Sequence, residues 1–337
     1  MRLDVFVAAA LGVEHSRSQA ARMIKAGLVR LNRAPGRAAD IVRPGDRVEI
    51  LNPPEPIAPP SARDTAAAPD IDVLFADDEL VVVNKPGAMT VHPAPGHPGG
   101  TLVDALLARF PEMAVMAEAD GVMRPGIVHR LDKGTTGVMA VARTPYARME
   151  LARQFKERSV DKLYLAIVRG RVARERFLIA RPIGRHPVER KRMSVRSARG
   201  REAVSEVAVL ARMASAQGET TLVGVRPLTG RTHQIRVHLA SIGHPCLGDP
   251  LYGGRQGRHT DGEAAPFARQ ALHALALTLS HPRTGARLTF VAPLPADFAD
   301  FLAARGVAVD RAAVERWIAA RARPLAERPV DSPRGLR

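Results

Sequence analysis

Residues 126–137 read Gly-Ile-Val-His-Arg-Leu-Asp-Lys-Gly-Thr-Thr-Gly. One carboxylate, two cations and three glycines stand between two apolar runs, 122–128 and 137–142, and both runs are expected to be strands. Chemistry-bearing side chains are commonly carried on loops held by a rigid scaffold. Read alone, Asp132 fits a turn residue that bonds its own backbone as well as it fits a reactive carboxylate.

The same rhythm continues outward from this loop. Strands are expected over 71–75, 80–84, 163–168, 203–211 and 219–226. Thr144 is expected to cap a helix running to 158. A second helix is expected over 232–242, with Ile235, Leu239 and Ile242 on one face and Gly243 as its stop. Many strands with few long helices between them predict an α+β fold, a mixed and largely antiparallel sheet with flanking helices.

Residues 51–70, LNPPEPIAPPSARDTAAAPD, hold six prolines and no apolar period, and read as a linker over 52–70. A small α+β module therefore occupies 1–51. Its first helix carries Leu3, Phe6, Val7 and Ala10. Its second, over 17–26, has Ser16 as cap and Gly27 as stop, and strands are expected near 28–32 and 47–51. Arg17, Arg22 and Lys25 give that second helix a basic side, which is also how an ordinary solvated face would look. The larger domain spans 71–295. A partly helical extension follows over 296–337, and its packing is left open.

The 337 residues contain 50 Lys+Arg against 34 Asp+Glu, a net charge of +16. A surplus of that size points to a polyanionic partner, most often nucleic acid. It is concentrated in 181–201, where eight basic residues, among them Arg185, Arg190, Lys191 and Arg192, face one acidic residue. Aromatics make up only 4%, too few for a broad base-stacking platform. One cysteine, Cys246, rules out an internal disulfide and a thiolate zinc cluster. His233 and His238 are five apart, about 140° around a helix, so they do not share a metal-binding face. No metal and no cofactor is expected. Nor is a signal peptide or a membrane span, and a monomer in the cytoplasm is expected.

Four segments in order carry a family resemblance. They are Val83-Asn84-Lys85-Pro86-Gly87 with Val91-His92-Pro93, then His129-Arg130-Leu131-Asp132 with Thr135-Thr136-Gly137, then 230–238 (GRTHQIRVH), then 243–253 (GHPCLGDPLYG). Together they resemble the RluA family of pseudouridine synthases. The segment Arg269-Gln270-Ala271-Leu272-His273-Ala274 is most similar to the type that acts on large-subunit ribosomal RNA. Residues 1–51, with S-R-S-Q and G-L-V-x-L-N, resemble an S4 RNA-binding domain. The resemblance implies a pseudouridine synthase fold and isomerisation of uridine to pseudouridine in RNA without redox chemistry. Large-subunit (23S) ribosomal RNA is the first expectation, and transfer RNA or another ribosomal site the alternative. A non-catalytic RNA-binding or ribosome-assembly protein is the rival of another class.

The resemblance also assigns roles. Asp132 would be the nucleophile toward ribose C1′ or the base that forms a glycal. Arg231 would be the cation beside it, or else a surface phosphate contact. Tyr164 would pack on the base and handle the C5 proton, or be a core tyrosine. Arg130 would enter the RNA where the uridine leaves its stack, or form a structural ion pair.

Overall fold

The computed structural model describes residues 1–11, 17–51, 69–92, 99–116, 125–189, 192–215, 218–253, 267–309 and 312. The expected linker over 52–70 lies outside them except at its last two residues, and the expected cap Ser16 lies outside as well.

The first elements are α1 (Leu3–Ala10), α2 (Arg17–Lys25), β1 (Val29–Leu31), β2 (Ala34–Pro35) and β3 (Val48–Ile50). The strands pair antiparallel in the order β2-β1-β3. Leu3, Val7, Ala20, Ile24, Val29 and Val42 close a core drawn entirely from this stretch. Its apolar positions recur at helical spacing in α1 and α2, and that puts both helices on one side of the small sheet.

The larger sheet uses β4 (Asp72–Ala76), β5 (Leu80–Lys85), β6 (Thr136–Ala142), β7 (Asp161–Arg169), β8 (Arg176–Ala180), β11 (Val204–Ser215), β12 (Gly218–Pro227), β13 (Leu272–Ser280) and β14 (Arg287–Val291). A short hairpin, β9 (Gly184–Arg185) with β10 (Met193–Ser194), stands apart from it in the basic arm. The order is β4-β5-β6-β13-β7-β12-β11-β8, with β14 also on β13. Every pairing is antiparallel except β6 with β13. Helices α3 (Leu102–Arg109), α4 (Pro145–Glu157), α5 (Gln234–Ser241) and α6 (Ala296–Ala303) cover it. This is the expected mixed, mostly antiparallel α+β fold.

Local chemistry explains the boundaries. Thr144 accepts the Ala147 N–H and caps α4, and Arg158 closes the helix in a left-handed conformation. Central strands β5 and β6 are buried on both faces, which is why 80–84 and 137–142 are nearly continuous apolar runs. The start of the C-terminal extension is packed: Phe298, Phe301 and Leu302 of α6 share a core with Leu163, Leu165, Ile167 and Phe267.

One expected strand is not formed. In the described part of 122–128, Pro125 and Gly126 make a turn and only Ile127 pairs, in a single bridge to Val141. Pro125 has no N–H to give a ladder. Gly126 sits at φ 69°, and a Cβ there would lie 2.0 Å from the Ala142 carbonyl oxygen.

Candidate active site

The 126–137 segment is pinned at several points, and the pinning places Asp132. His129 Nε2 accepts the Ala140 N–H at 3.0 Å, and its ring stacks on Phe155. Burial, with Lys162 nearby, pushes this imidazole down to about 3, so it stays neutral and tied to β6. Leu131 is buried in the main core. The adjacent Asp132 is therefore held at the surface of a cavity of about 540 Å³ between the loop, β7 and α5.

Beyond Asp132, the Gly134 N–H donates to Gly87 O at 2.8 Å, with Gly134 at φ 87°. Gln270 donates to Lys133 O and Thr135 Oγ1, and Arg269 donates to Gly134 O while also binding Asp297. Gly137 is required where β6 meets β13, because a Cβ would come within 2.2 Å of the Ala274 carbonyl oxygen. The 269–274 segment is thus the brace of the loop. So is the turn after β5. There Lys85, only 1% exposed, donates to Pro86 O and Met89 O, and burial beside Arg269 brings its ammonium down to about 7.

The cation beside Asp132 is Arg236, which corrects the expectation of Arg231. Arg236 Nη1 donates to Asp132 Oδ2 at 3.0 Å. Its Nε and Nη2 form a two-point bond to Asp249 at 2.7 and 2.9 Å. The side chains of Arg236 and Asp249 are 4% and 0% exposed. Burial opposes the charge on Arg236, but the bonds and charge of Asp249, then those of Asp132, raise it above its ordinary value. Asp249 also accepts the Leu251 and Tyr252 N–H groups.

Arg231 lies three residues before α5, at the cavity rim. Its Nε donates to Glu202 O, and its backbone N–H to Gln234 Oε1. The expected helix over 232–242 begins only at Gln234 because His233 is left-handed, φ 56°. That turn sends Arg231 outward and carries Arg236 in.

Tyr164 on β7 lines the same cavity. Burial, with the Asp132 charge adding, pushes its phenol above the usual range, so it presents a ring face and a protonated hydroxyl. Lys162, two residues earlier on the same strand face, also lines the cavity, and burial lowers its ammonium. Arg130 is exposed at the mouth, with Arg158 and Arg201. His233 Nε2 stands 3.9 Å from Asp132 Oδ1. Arg236, His233, Asp249 and Tyr252 are the site residues that motif reading alone did not single out.

Of the remaining expected RNA contacts, the described ones do not line this cavity. Lys25 and Arg185 are exposed, and Arg192 is held by Glu189 and lies over the Tyr252 ring. Arg190 and Lys191, and the side chains of Arg17 and Arg22, lie outside the described part. His238 does not join His233. It bonds Ser205 Oγ and Arg181 O instead. Among the described residues, no group of three His, Cys, Asp or Glu side chains is arranged to hold a metal ion, and no helix is long and apolar enough to cross a membrane.

Comparison with known proteins identifies the family. A family model described as RNA pseudouridylate synthase matches residues 79–241, and an S4 domain model matches 1–48. The ribosomal large subunit pseudouridine synthase D of Pseudomonas aeruginosa is 43% identical over 303 residues, covering 88% of this chain and 89% of that one. An RNA pseudouridine synthase of Bacillus subtilis is 41% identical over 302 residues, covering 89% and 93%. Among solved structures, human RNA Pseudouridylate Synthase Domain Containing 1 superposes with a TM-score of 0.59 at 28% identity, covering 76% of this chain and 97% of that one. With its four motifs, its sheet and its N-terminal module in agreement, the chain belongs to the RluA-type RNA pseudouridine synthases that carry an N-terminal S4 domain.

Proposed function

We propose that Asp132 is the catalytic carboxylate and that the substrate is a uridine of large-subunit ribosomal RNA. The observation that carries this is the Asp132–Arg236–Asp249 relay at the wall of a cavity rimmed by Arg130, Arg158, Arg201 and Arg231. A uridine turned out of its stack brings its phosphates to those rim cations and its ribose to Asp132. Asp132 then bonds C1′ as N1 leaves, or takes a C2′ proton as N1 leaves. The uracil turns within the cavity, and C5 bonds C1′ as the Asp132–C1′ bond breaks, or as Asp132 returns its proton to C2′; the C5 proton departs and N1 gains one, so product and substrate are isomers and Asp132 is a free carboxylate again.

Tyr164 offers its ring to the base. A protonated phenol is a donor rather than a base, so its share in moving the C5 proton is as a relay. The large-subunit assignment is favoured by the 269–274 brace and by relatives named ribosomal large subunit pseudouridine synthase D. A role as a passive RNA-binding protein would not need Asp132, Tyr164 and Arg236 around one cavity. We assign the enzyme to the cytoplasm as a monomer; its single thiol, Cys246, is buried and held protonated.

The test is tritium release from a large-subunit ribosomal RNA transcript labelled at uridine C5. Wild-type protein is expected to release tritium and Asp132→Asn none, with RNA affinity changed by no more than a few fold. Release by Asp132→Asn near the wild-type rate would remove Asp132 from the chemistry.

A further inference from the structure

His233 faces Asp132 across the cavity, and its other ring nitrogen is already committed. His233 Nδ1 lies 2.9 Å from the Tyr252 hydroxyl oxygen. That oxygen also accepts the Met193 N–H at 2.9 Å. The hydroxyl has one proton of its own; given to His233 Nδ1, it leaves the imidazole proton on Nε2. Nε2 lines the cavity, 3.9 Å from Asp132 Oδ1. The groups that face this ring are Asp132, Arg236, Asp249, Arg130 and Tyr252. Burial is the largest influence on it and outweighs the two carboxylates, keeping the ring uncharged.

We propose that His233 is a further catalytic residue, whose Nε2–H donates to the uracil O2 as the glycosidic bond breaks, with Tyr252 as the positioning residue that fixes its tautomer. This rests on the reading of Asp132 given above. When C1′–N1 breaks, its electron pair passes to the uracil and is shared between N1, O2 and O4. At the same moment C1′ gains its bond to the Asp132 oxygen, or C2′ gives its proton to Asp132 and a C1′=C2′ bond forms. A carboxylate in reacting contact with the ribose, roughly 3–3.5 Å, brings N1 and O2 to the same side of the cavity. A donor 3.9 Å from that carboxylate then has the O2 lone pairs within reach. His233 keeps its proton throughout. It supplies a hydrogen bond where charge develops, in the manner of an oxyanion donor.

The same arrangement ties the donor to the basic arm. Met193 belongs to β10, and its neighbour Arg192 lies 5.5 Å from the Tyr252 ring centre, while Arg236 lies 5.1 Å from that centre. The position of the arm therefore helps decide which nitrogen of His233 bears the proton.

The experiment combines kinetics on the C5-tritiated transcript with nitrogen-15 spectra of the histidine rings in the full-length protein. His233→Ala is expected to lower kcat by about a hundred- to a thousandfold, the usual cost of one such donor, with KM within about threefold. His233→Gln, which restores an N–H, should recover to within about tenfold of wild type. The wild-type spectrum should show His233 with its proton on Nε2, and Tyr252→Phe should mix the tautomers and lower kcat more than it changes KM. A proton on Nδ1 in the wild type, a His233→Ala enzyme within threefold in kcat, or a glutamine variant no better than alanine would overturn the proposal. The first of these needs no variant to fold. Asp132→Asn, assayed alongside, separates the two claims: an inactive Asp132→Asn with a fully active His233→Ala refutes the role of His233 alone.

Discussion

Arg236 gives Asp132 one nitrogen and gives Asp249 the other two, so the cation beside the Asp132 carboxylate is itself locked by a buried second carboxylate. The guanidinium plane is fixed before any substrate arrives, and Asp132 is oriented by a group that cannot swing away. A lysine carries the same charge but lacks the fork that serves both acids.

Arg236→Lys should therefore lower kcat by about a hundredfold while leaving RNA affinity within a few fold. Arg231→Met should do the reverse, because Arg231 sits at the rim. Its kcat at saturating RNA should stay within a few fold, while the slope of log affinity against log salt should fall by about 0.7–0.9 for the lost phosphate contact. Steady-state kinetics and salt titrations of both variants check this. A collapse of kcat in Arg231→Met with no effect in Arg236→Lys would reverse the assignment. Lysine is preferred to methionine at 236 because an unpaired, buried Asp249 would cost about 3–5 kcal/mol of stability.

The two arginines also mark how far the sequence could be read. Six strands of the large sheet, β4 to β7 with β11 and β12, were legible, most plainly β5, β6 and β7 as apolar runs bounded by turn residues, whereas β8, β13 and β14 were not read; Asp132 stood out as the one carboxylate of a glycine-flanked loop. The segment 230–238 holds two arginines, and the resemblance was read onto Arg231. What separates them is the left-handed turn at His233, an unusual conformation for a residue with a side chain, and no local pattern announces it. Asp249 was equally hidden. It reads as a turn residue in Gly248-Asp249-Pro250, and only the fold brings it under α5. The strand expected over 122–128 failed for a legible reason, Pro125-Gly126, which the apolar residues around it outweighed in the reading.

Two fully buried histidines should make the protein acid-labile. His238 donates from Nε2 to Arg181 O and accepts from Ser205 on Nδ1, and His273 Nδ1 pairs with Thr136. Burial brings both down to about 4. An unfolded histidine titrates near 6.5, so between these values the unfolded chain holds a proton on each of these two histidines that the folded one lacks. Their stabilising share is complete above about pH 6.5 and is lost as pH falls toward 4, at about 1.4 kcal/mol per pH unit for each histidine. Denaturant unfolding at several pH values should show this loss, and His238→Gln should reduce the slope by one histidine's share. An unchanged slope would mean that His238 is protonated in the folded protein.

The N-terminal module should act on binding and not on chemistry. Its core is made of residues from Leu3 to Ile50, and Asp132, His233 and Arg236 belong to the other group of elements. Removal of residues 1–60 should weaken binding to structured RNA and flatten its salt dependence, with much less change in turnover at saturating RNA. Gel-shift titrations at several salt concentrations, paired with tritium release, measure both. Equal binding with an unchanged slope would show the basic face of α2 to be an ordinary solvated surface.

The most direct measurement is a site-resolved map of pseudouridine in total RNA from cells that lack this protein, and from the same cells supplied with wild type or with Asp132→Asn. The account predicts that one or more pseudouridines vanish from large-subunit ribosomal RNA without the protein, return with the wild type and stay absent with Asp132→Asn. A large-subunit map that does not change, or sites restored by the asparagine variant, would contradict it.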